Sequence, residues 1–485
     1  MSYCSDPRHI LNGHDILEGN YFDQPYVVKT DDGAWLCVLT TGSGKEGQAG
    51  QHIITVRSVD CGQSWSEPVV VESPDGPESS YAALLKVPSG RVYVFYNHNS
   101  DNIREIPADN PPNRDGKCRR VDSLGYFVFK YSDDNGLTWN AERTVIPIRE
   151  MEIDRENTSG GKIRYGWNVG RPFIHDGEAY VSFHKVGRFG AGFFVRSEGV
   201  LVASRNLLTE TDPSKITWET LPEGDAGLRT PPGGGKVAEE QSYTVLSDGS
   251  FYCVYRTIDG YPAYAISRDR GRTWSVPAYQ CFANGRRMKH PRAANFVWRC
   301  ENGKYVYWFH NHGGRFIPER NTSAEMAFYP YQGRNPVWLC GGVEIDVPGG
   351  RTILWSEPEI AIYDDDPMIR MSYPDLVEDK GRYFLTETEK ATARIHEIDS
   401  ELLEGMWNQF ESSCVAGKGR VFHREGKSEP RLKMPRLPVL AVRNMDSHRM
   451  DLKKTRAGFT VDMDVTITGD HFDGAILDAR QESGE

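Results

Sequence analysis

The sequence predicts an all-β protein arranged as a six-bladed β-propeller, on three observations. Short runs rich in Val, Ile, Tyr, Phe and Trp are punctuated by 48 Gly and 28 Pro, the pattern of many short strands joined by turns. A turn ending in Gly and leading into an aromatic-rich strand recurs six times, and an eight-residue pattern occurs three times. Helical signals are scarce. The clearest covers residues 400–407, where Ser400 is placed to cap a short helix.

The Gly-ended turns are Asp32-Gly33, Ser89-Gly90, Asp176-Gly177, Asp248-Gly249, Asn302-Gly303 and Lys380-Gly381. Successive glycines lie 54 to 87 residues apart, long enough in each case for a four-stranded sheet and its loops. Radial repetition of such sheets leaves only short, protected edges. Six units therefore predict six blades over residues 15–410, preceded by an extension at 1–14.

The eight-residue pattern reads S-x-D-x-G-x-[ST]-W at 58–65, 132–139 and 267–274. Asp and Gly at this spacing suit a tight turn: the carboxylate accepts turn N–H groups, Gly supplies a positive φ, and Trp packs back beneath. These residues are read as structural. After Phe410 the texture changes, and residues 411–450, with Lys418, Lys427, Pro430, Pro435 and Pro438, read as a linker. Residues 458–467 then alternate like a half-buried strand and 475–478 suggest another. So few strands cannot bury a core alone. Residues 451–485 read either as the start of a β-sandwich cut short at Glu485 or as an extra edge packed on the propeller.

Composition narrows the function classes. A formal charge of −11, from 57 basic and 68 acidic residues without a basic cluster, argues against a nucleic-acid binder. No apolar stretch reaches the length of a membrane-spanning helix, and the first thirty residues lack the basic start and apolar run of an export signal. Nine cysteines, an odd number with no CxxC pair, fit neither a disulfide framework nor a zinc cage, and as buried thiols they lean towards a cytoplasmic setting. No cofactor is expected. His310 and His312 form an H-x-H pair, but no third metal ligand accompanies them, so sugar-hydroxyl binding is the expectation there.

Three S-x-D-x-G-x-[ST]-W boxes on a six-fold β repeat resemble the Asp-box (BNR-repeat) propellers of the sialidase, or neuraminidase, superfamily, over residues 15–410. The C-terminal tail resembles the first strands of a laminin-G or concanavalin-like domain. The sialidase resemblance implies a Tyr nucleophile activated by a Glu, an acidic acid/base, and three Arg that clamp the substrate carboxylate. Glu240 opens a strand and turn that end sixteen residues later at Arg256, similar to the family's Glu-to-Arg arrangement. Tyr373, in Ser372-Tyr373-Pro374-Asp375, resembles the nucleophile segment, and Arg334 the Arg some forty residues before it. Glu46, fourteen residues before Asp60, stands about where the family carries its acid/base.

One position departs from the family. Its first Arg lies in an F-R-I-P-like motif, which here reads Phe22-Asp23-Gln24-Pro25. An Asp in place of a bidentate carboxylate partner disfavours an anionic sugar and suits hydroxyl groups, with Arg292 and Arg370 the candidates to restore a third positive charge. The expected function is an exo-acting glycoside hydrolase on a terminal sugar of a glycan, with weak hydrolysis of simple α-sialosides. A Tyr nucleophile suits an anomeric centre bearing a carboxylate, whereas for a neutral sugar Glu240 and Glu46 would form the usual carboxylate pair. A catalytically silent glycan-binding propeller and a polysaccharide lyase are the alternatives.

Overall fold

The computed structural model describes residues 6–110, 113, 115–190, 193–312, 333–364 and 369–411. Most of the segment read as a linker, and all of the segment read as a sandwich, lie outside the described residues. Six antiparallel sheets of four or five strands form a six-bladed propeller. Blade one runs Phe22–Lys29, Trp35–Thr41, His52–Ser58 and Val69–Val70 from the inside outward, and blade two Ser79–Lys86, Val92–His98, Tyr126–Ser132 and Thr144–Val145. Blade three has an inner strand in two pieces, Gly166–Trp167 and Phe173–His175, then a long hairpin, Glu178–Gly190 and Phe193–Ser204, and an outer Glu219–Leu221. Blade four is Glu239–Val245, Phe251–Arg256, Ala263–Ser267 and Ala278–Tyr279. Blade five begins Phe296–Arg299, Tyr305–Phe309 and Val337–Val347.

Blade six closes the ring. Leu376–Asp379, Arg382–Thr388 and Thr392–Ile398 come from the end of the described chain, and the outer strand is His14–Glu18 from its beginning. The residues ahead of that strand are also tied down, with Ile10 buried and His9 edge-on to Tyr363 of blade five.

Each Gly-ended turn joins the first and second strands of a blade, or in blade three the second inner piece and its neighbour. All six glycines have φ between 73° and 92°, a region in which a Cβ would be strained. Within the strands, successive side chains point to opposite faces and so serve different blade interfaces. In Val92–His98, Val92, Val94 and Tyr96 join the layer shared with blade one, while Tyr93 and Phe95 join Phe127, Val181 and Val200 between blades two and three. This two-sided burial explains why the strands read as aromatic-rich runs.

The three repeated boxes link the third and fourth strands of blades one, two and four. In each, the Asp accepts hydrogen bonds from both the N–H and the hydroxyl of the Ser or Thr four residues on, at 2.5–2.9 Å. The opening Ser hydroxyl accepts the N–H of the box Gly at 2.7–2.8 Å. Register places the boxes at one end of the blades: Ser58 pairs with Trp35, which pairs with Lys29, whereas Asp23 lies at the other end beside Thr40. The helix forms at Ser400–Asn408, capped by Asp399 rather than Ser400. The Asp399 carboxylate accepts the Glu401 N–H at 2.9 Å, which leaves Ser400 as the first helical residue. No disulfide occurs among the described cysteines, of which Cys37, Cys253, Cys300 and Cys340 are buried.

Candidate active site

The inner strands reach the propeller axis with a shared distortion. Gln24, Tyr81, Glu240 and Tyr373 have φ of 56°, 61°, 57° and 48°, all left-handed and none a glycine. The first three sit at register breaks in the inner strands of blades one, two and four, and Tyr373 lies just ahead of the inner strand of blade six. Each such conformation costs about 1–3 kcal/mol and persists where the surroundings over-determine it. A bulge re-aims side chains. Here it lets successive residues of one strand serve the same end of the axis.

Tyr373 donates its hydroxyl proton to Glu240 Oε1 at 2.9 Å, although the two are 133 residues apart. The other oxygen, Oε2, faces Arg256 Nη1 at 2.7 Å. Burial pushes the phenol well above its ordinary value, reinforced by the Glu240 carboxylate. Burial also raises Glu240 itself, against the pull of Arg256. Behind this pair, Glu239 receives Arg256 Nε at 2.8 Å and Arg292 Nη2 at 2.6 Å. Against burial, which acts to raise it, Arg292 and Arg256 hold the Glu239 carboxyl down at about 2. Arg292 also donates to the Phe194 carbonyl at 2.6 Å, so it anchors the tip of the blade-three hairpin. The carboxylate that Arg292 meets belongs to the protein.

Arg334 is 6% exposed and donates to Ser372 Oγ at 2.5 Å, while its Nε has no hydrogen-bond partner among the described residues. Arg370 is half-buried, and among the described residues no ion pair or hydrogen bond engages its side chain. Burial, then the like charge of Arg334, lowers its guanidinium. Two cations with unused donors thus adjoin Tyr373, which also bears on Arg370 electrostatically.

A second cluster flanks the same tyrosine. Lys390 Nζ lies 2.5 Å from Asp23 Oδ2, 3.0 Å from Glu46 Oε2 and 4.6 Å above the Tyr373 ring. Tyr21 donates to Asp23 at 3.0 Å. Arg120 joins Glu46 at 2.5 Å to Asp122 and to the Tyr81 hydroxyl. Asp23 is wholly buried, and burial raises its carboxyl despite Lys390. Against burial, Lys390 and Arg120 hold Glu46 well below the usual carboxylate range. A residue so held is ionised, the form of a base or electrostatic stabiliser rather than of a proton donor.

His310 and His312 stand near Arg334 in blade five. His310 is 1% exposed, stacks on His290 with ring centroids 5.7 Å apart, and has an Nε2 without a hydrogen-bond partner among the described residues. Burial drives both His290 and His310 towards the neutral imidazole. His312 is bonded to the Gly333 carbonyl. No group of three or more His, Cys, Asp or Glu is placed to hold a metal ion among the described residues.

Sequence reasoning missed Lys390, Arg120, Asp122, Tyr21, Tyr81 and the supporting role of Glu239. Lys390 meets Asp23 across 367 residues of chain, and nothing in its local sequence signals that contact. The left-handed bulge residues also leave no local signature, since none is a glycine.

No known family model matches the chain. Over 287 residues, 57% of the chain and 66% of the relative, it is 22% identical to a sialidase of Clostridium perfringens, so just under two thirds of that relative is matched. The NanB sialidase of Streptococcus pneumoniae superposes with a TM-score of 0.53 at 14% identity, over 82% of this chain and 71% of that one. The intramolecular trans-sialidase of Ruminococcus gnavus gives 0.52 at 13% identity, over 81% and 98%. The chain carries a sialidase-like propeller. A protein of unknown function from Dyadobacter fermentans shares this sialidase-like architecture, with a TM-score of 0.51 at 16% identity over 80% and 97% of the two chains. No helix among the described residues is long and apolar enough to cross a membrane.

Proposed function

We infer that the protein is an exo-acting glycoside hydrolase that removes a terminal sugar from a glycan with Tyr373 as nucleophile. The observation that carries this reading is the buried Tyr373–Glu240 hydrogen bond of 2.9 Å, backed by Arg256 on the far oxygen of Glu240. A phenol is a poor nucleophile until a base takes its proton. Glu240 is that base: it accepts the phenolic proton as the phenolate oxygen bonds to the anomeric carbon and the glycosidic C–O bond breaks. The leaving oxygen takes a proton from solvent water; a second water then attacks the anomeric carbon, the Tyr373–sugar bond breaks, Glu240 returns its proton to the phenolate, and configuration is retained. Glu46, held ionised far below the usual carboxylate range, is a weak base and suits electrostatic stabilisation of the positively charged sugar in the transition state.

The substrate reading follows from charge. Arg334 and Arg370 leave buried or half-buried guanidinium donors unused, and an uncompensated cation of this kind is stabilised by an anion in bidentate geometry. Asp23 is wholly buried and its oxygens accept from Tyr21, Lys390 and the Gln24 N–H, so its charge is met within the protein. The favoured substrate is an acidic sugar whose carboxylate meets Arg334 and Arg370. Simple α-sialosides are cleaved weakly. Incubation with aryl glycosides of sialic acid, other acidic sugars and neutral sugars, with released aglycone and unsaturated product measured separately, tests the reading. Release from an acidic sugar with slow release from the α-sialoside supports it, and efficient α-sialoside cleavage overturns the substrate reading. Unsaturated product marks a lyase, and binding without turnover marks a silent glycan-binding propeller.

A further inference from the structure

Lys390 occupies the corner of the blade-six hairpin between Arg382–Thr388 and Thr392–Ile398, with φ at 79°. Glycine adopts this conformation without steric cost, whereas a lysine pays strain for it. The corner is sewn to the start of blade one: the Phe22 N–H donates to the Lys390 carbonyl at 2.6 Å, and the Lys390 N–H to Thr388 Oγ1 at 2.8 Å. These bonds set the ammonium beside Asp23, the residue after Phe22. Around it stand two carboxylates from different parts of blade one, the face of Tyr373 and, 5.9 Å away, the ring of Tyr21.

On the reading that Tyr373 is the nucleophile, we propose that Lys390 is a positioning residue for the reaction. It holds the Asp23 and Glu46 carboxylates on one ammonium and supplies the positive charge facing Tyr373 as its hydroxyl proton passes to Glu240. A cation above an aromatic face is attracted by the ring, and the attraction grows when the oxygen becomes an anion. Without the ammonium, two carboxylates face one another in a buried site and share a proton. The other charged groups around the cluster bear on Glu46 or Tyr373, whereas Lys390 is the cation bonded to Asp23. Tyr21 is a neutral hydrogen-bond donor to Asp23, and Arg120 pairs with Glu46 at 2.5 Å but shares its guanidinium with Asp122 and Tyr81. Glu240 is paired with Arg256, and Arg370, which bears on both Glu46 and Tyr373, stands beside the like charge of Arg334.

The test compares Lys390→Met, Lys390→Arg and Lys390→Gly, the last of which relieves the backbone at this φ. The first measurement needs no substrate: thermal unfolding midpoints from pH 5 to pH 8.5. A shared proton on Asp23 and Glu46 gives the folded variants a raised carboxyl pKa, which stabilises below that value and is lost as pH rises through it. The Met and Gly variants therefore lose stability relative to wild type as pH rises, while Arg follows wild type. The second measurement is the pH profile of turnover on the best substrate found for the wild type. Loss of the ammonium lowers kcat roughly 100-fold with KM nearly unchanged and moves the acid limb up by about one unit, and Arg restores much of both. Met and Gly variants with the wild-type pH dependence of unfolding overturn the proposal, as does a change confined to KM. A wild type inactive on every glycoside defeats the hydrolase reading, and the unfolding series then still decides whether Lys390 holds the two carboxylates.

Discussion

Tyr373 has a hydroxyl whose single donor function is spent on Glu240, so removing that oxygen deletes the proposed nucleophile while leaving the ring to pack. Tyr373→Phe is expected to lower kcat by about a thousandfold or more with an unfolding midpoint close to wild type, measured by steady-state assay and calorimetry. Glu240→Gln keeps the shape and removes the base, and a loss of similar size is expected. An active Tyr373→Phe protein sinks the proposed chemistry. In the proposed reaction Arg370 acts on the substrate rather than on Tyr373. Arg370→Met is expected to raise KM for an acidic aryl glycoside roughly tenfold, about the worth of one charge-assisted contact, with no comparable effect on inhibition by neutral sugars.

The repeated turns serve the blades rather than the site, which lies at the other end of the strands. In the second of them Asp134 accepts the Thr138 N–H at 2.9 Å, the Thr138 hydroxyl at 2.6 Å and the Ser132 hydroxyl at 2.7 Å. Gly136, at φ 81°, lies against Leu36 of blade one, so the turn also supports the neighbouring blade. Asp134→Ala is expected to destabilise the protein by about 1–3 kcal/mol, the usual cost of such bonds, and to leave kcat at moderate temperature unaltered. Denaturant unfolding alongside an assay separates the two effects.

Ring closure depends on a strand from the opposite end of the chain: His14–Glu18 pairs with Thr392–Ile398, with Ile16 buried. Deleting residues 1–18 bares the edge of blade six, and a broader unfolding transition with aggregation on gel filtration is expected. The same blade holds a pH-sensitive group. Glu387 is fully buried, and burial pushes its carboxyl up to about 8, against the charge of Arg394. A raised folded-state pKa stabilises at low pH and is lost as pH rises through about 8. Glu387→Gln removes that loss, so its midpoint is expected to gain on wild type between pH 5 and pH 8.5. A constant difference across this range rejects the assignment.

Sequence by itself determined the repeat and therefore the architecture. Gly33, Gly90, Gly177, Gly249, Gly303 and Gly381 mark positive-φ turns, and the Asp and Gly of each box make their bonds within eight residues, so local chemistry was enough to read them. Glu240 and Arg256, which face each other across one hairpin, were legible through family resemblance, as were Tyr373 and Arg334. Three things were decided only by the tertiary structure. It committed Arg292 to Glu239, placed Glu46 between two cations, and set Lys390 where blade six meets blade one. The charge state of a buried carboxylate depends on which cations the fold brings within a few ångströms. Those cations lie 53 residues from Glu239, 74 from Glu46 and 367 from Asp23, separations at which local sequence carries no record of contact.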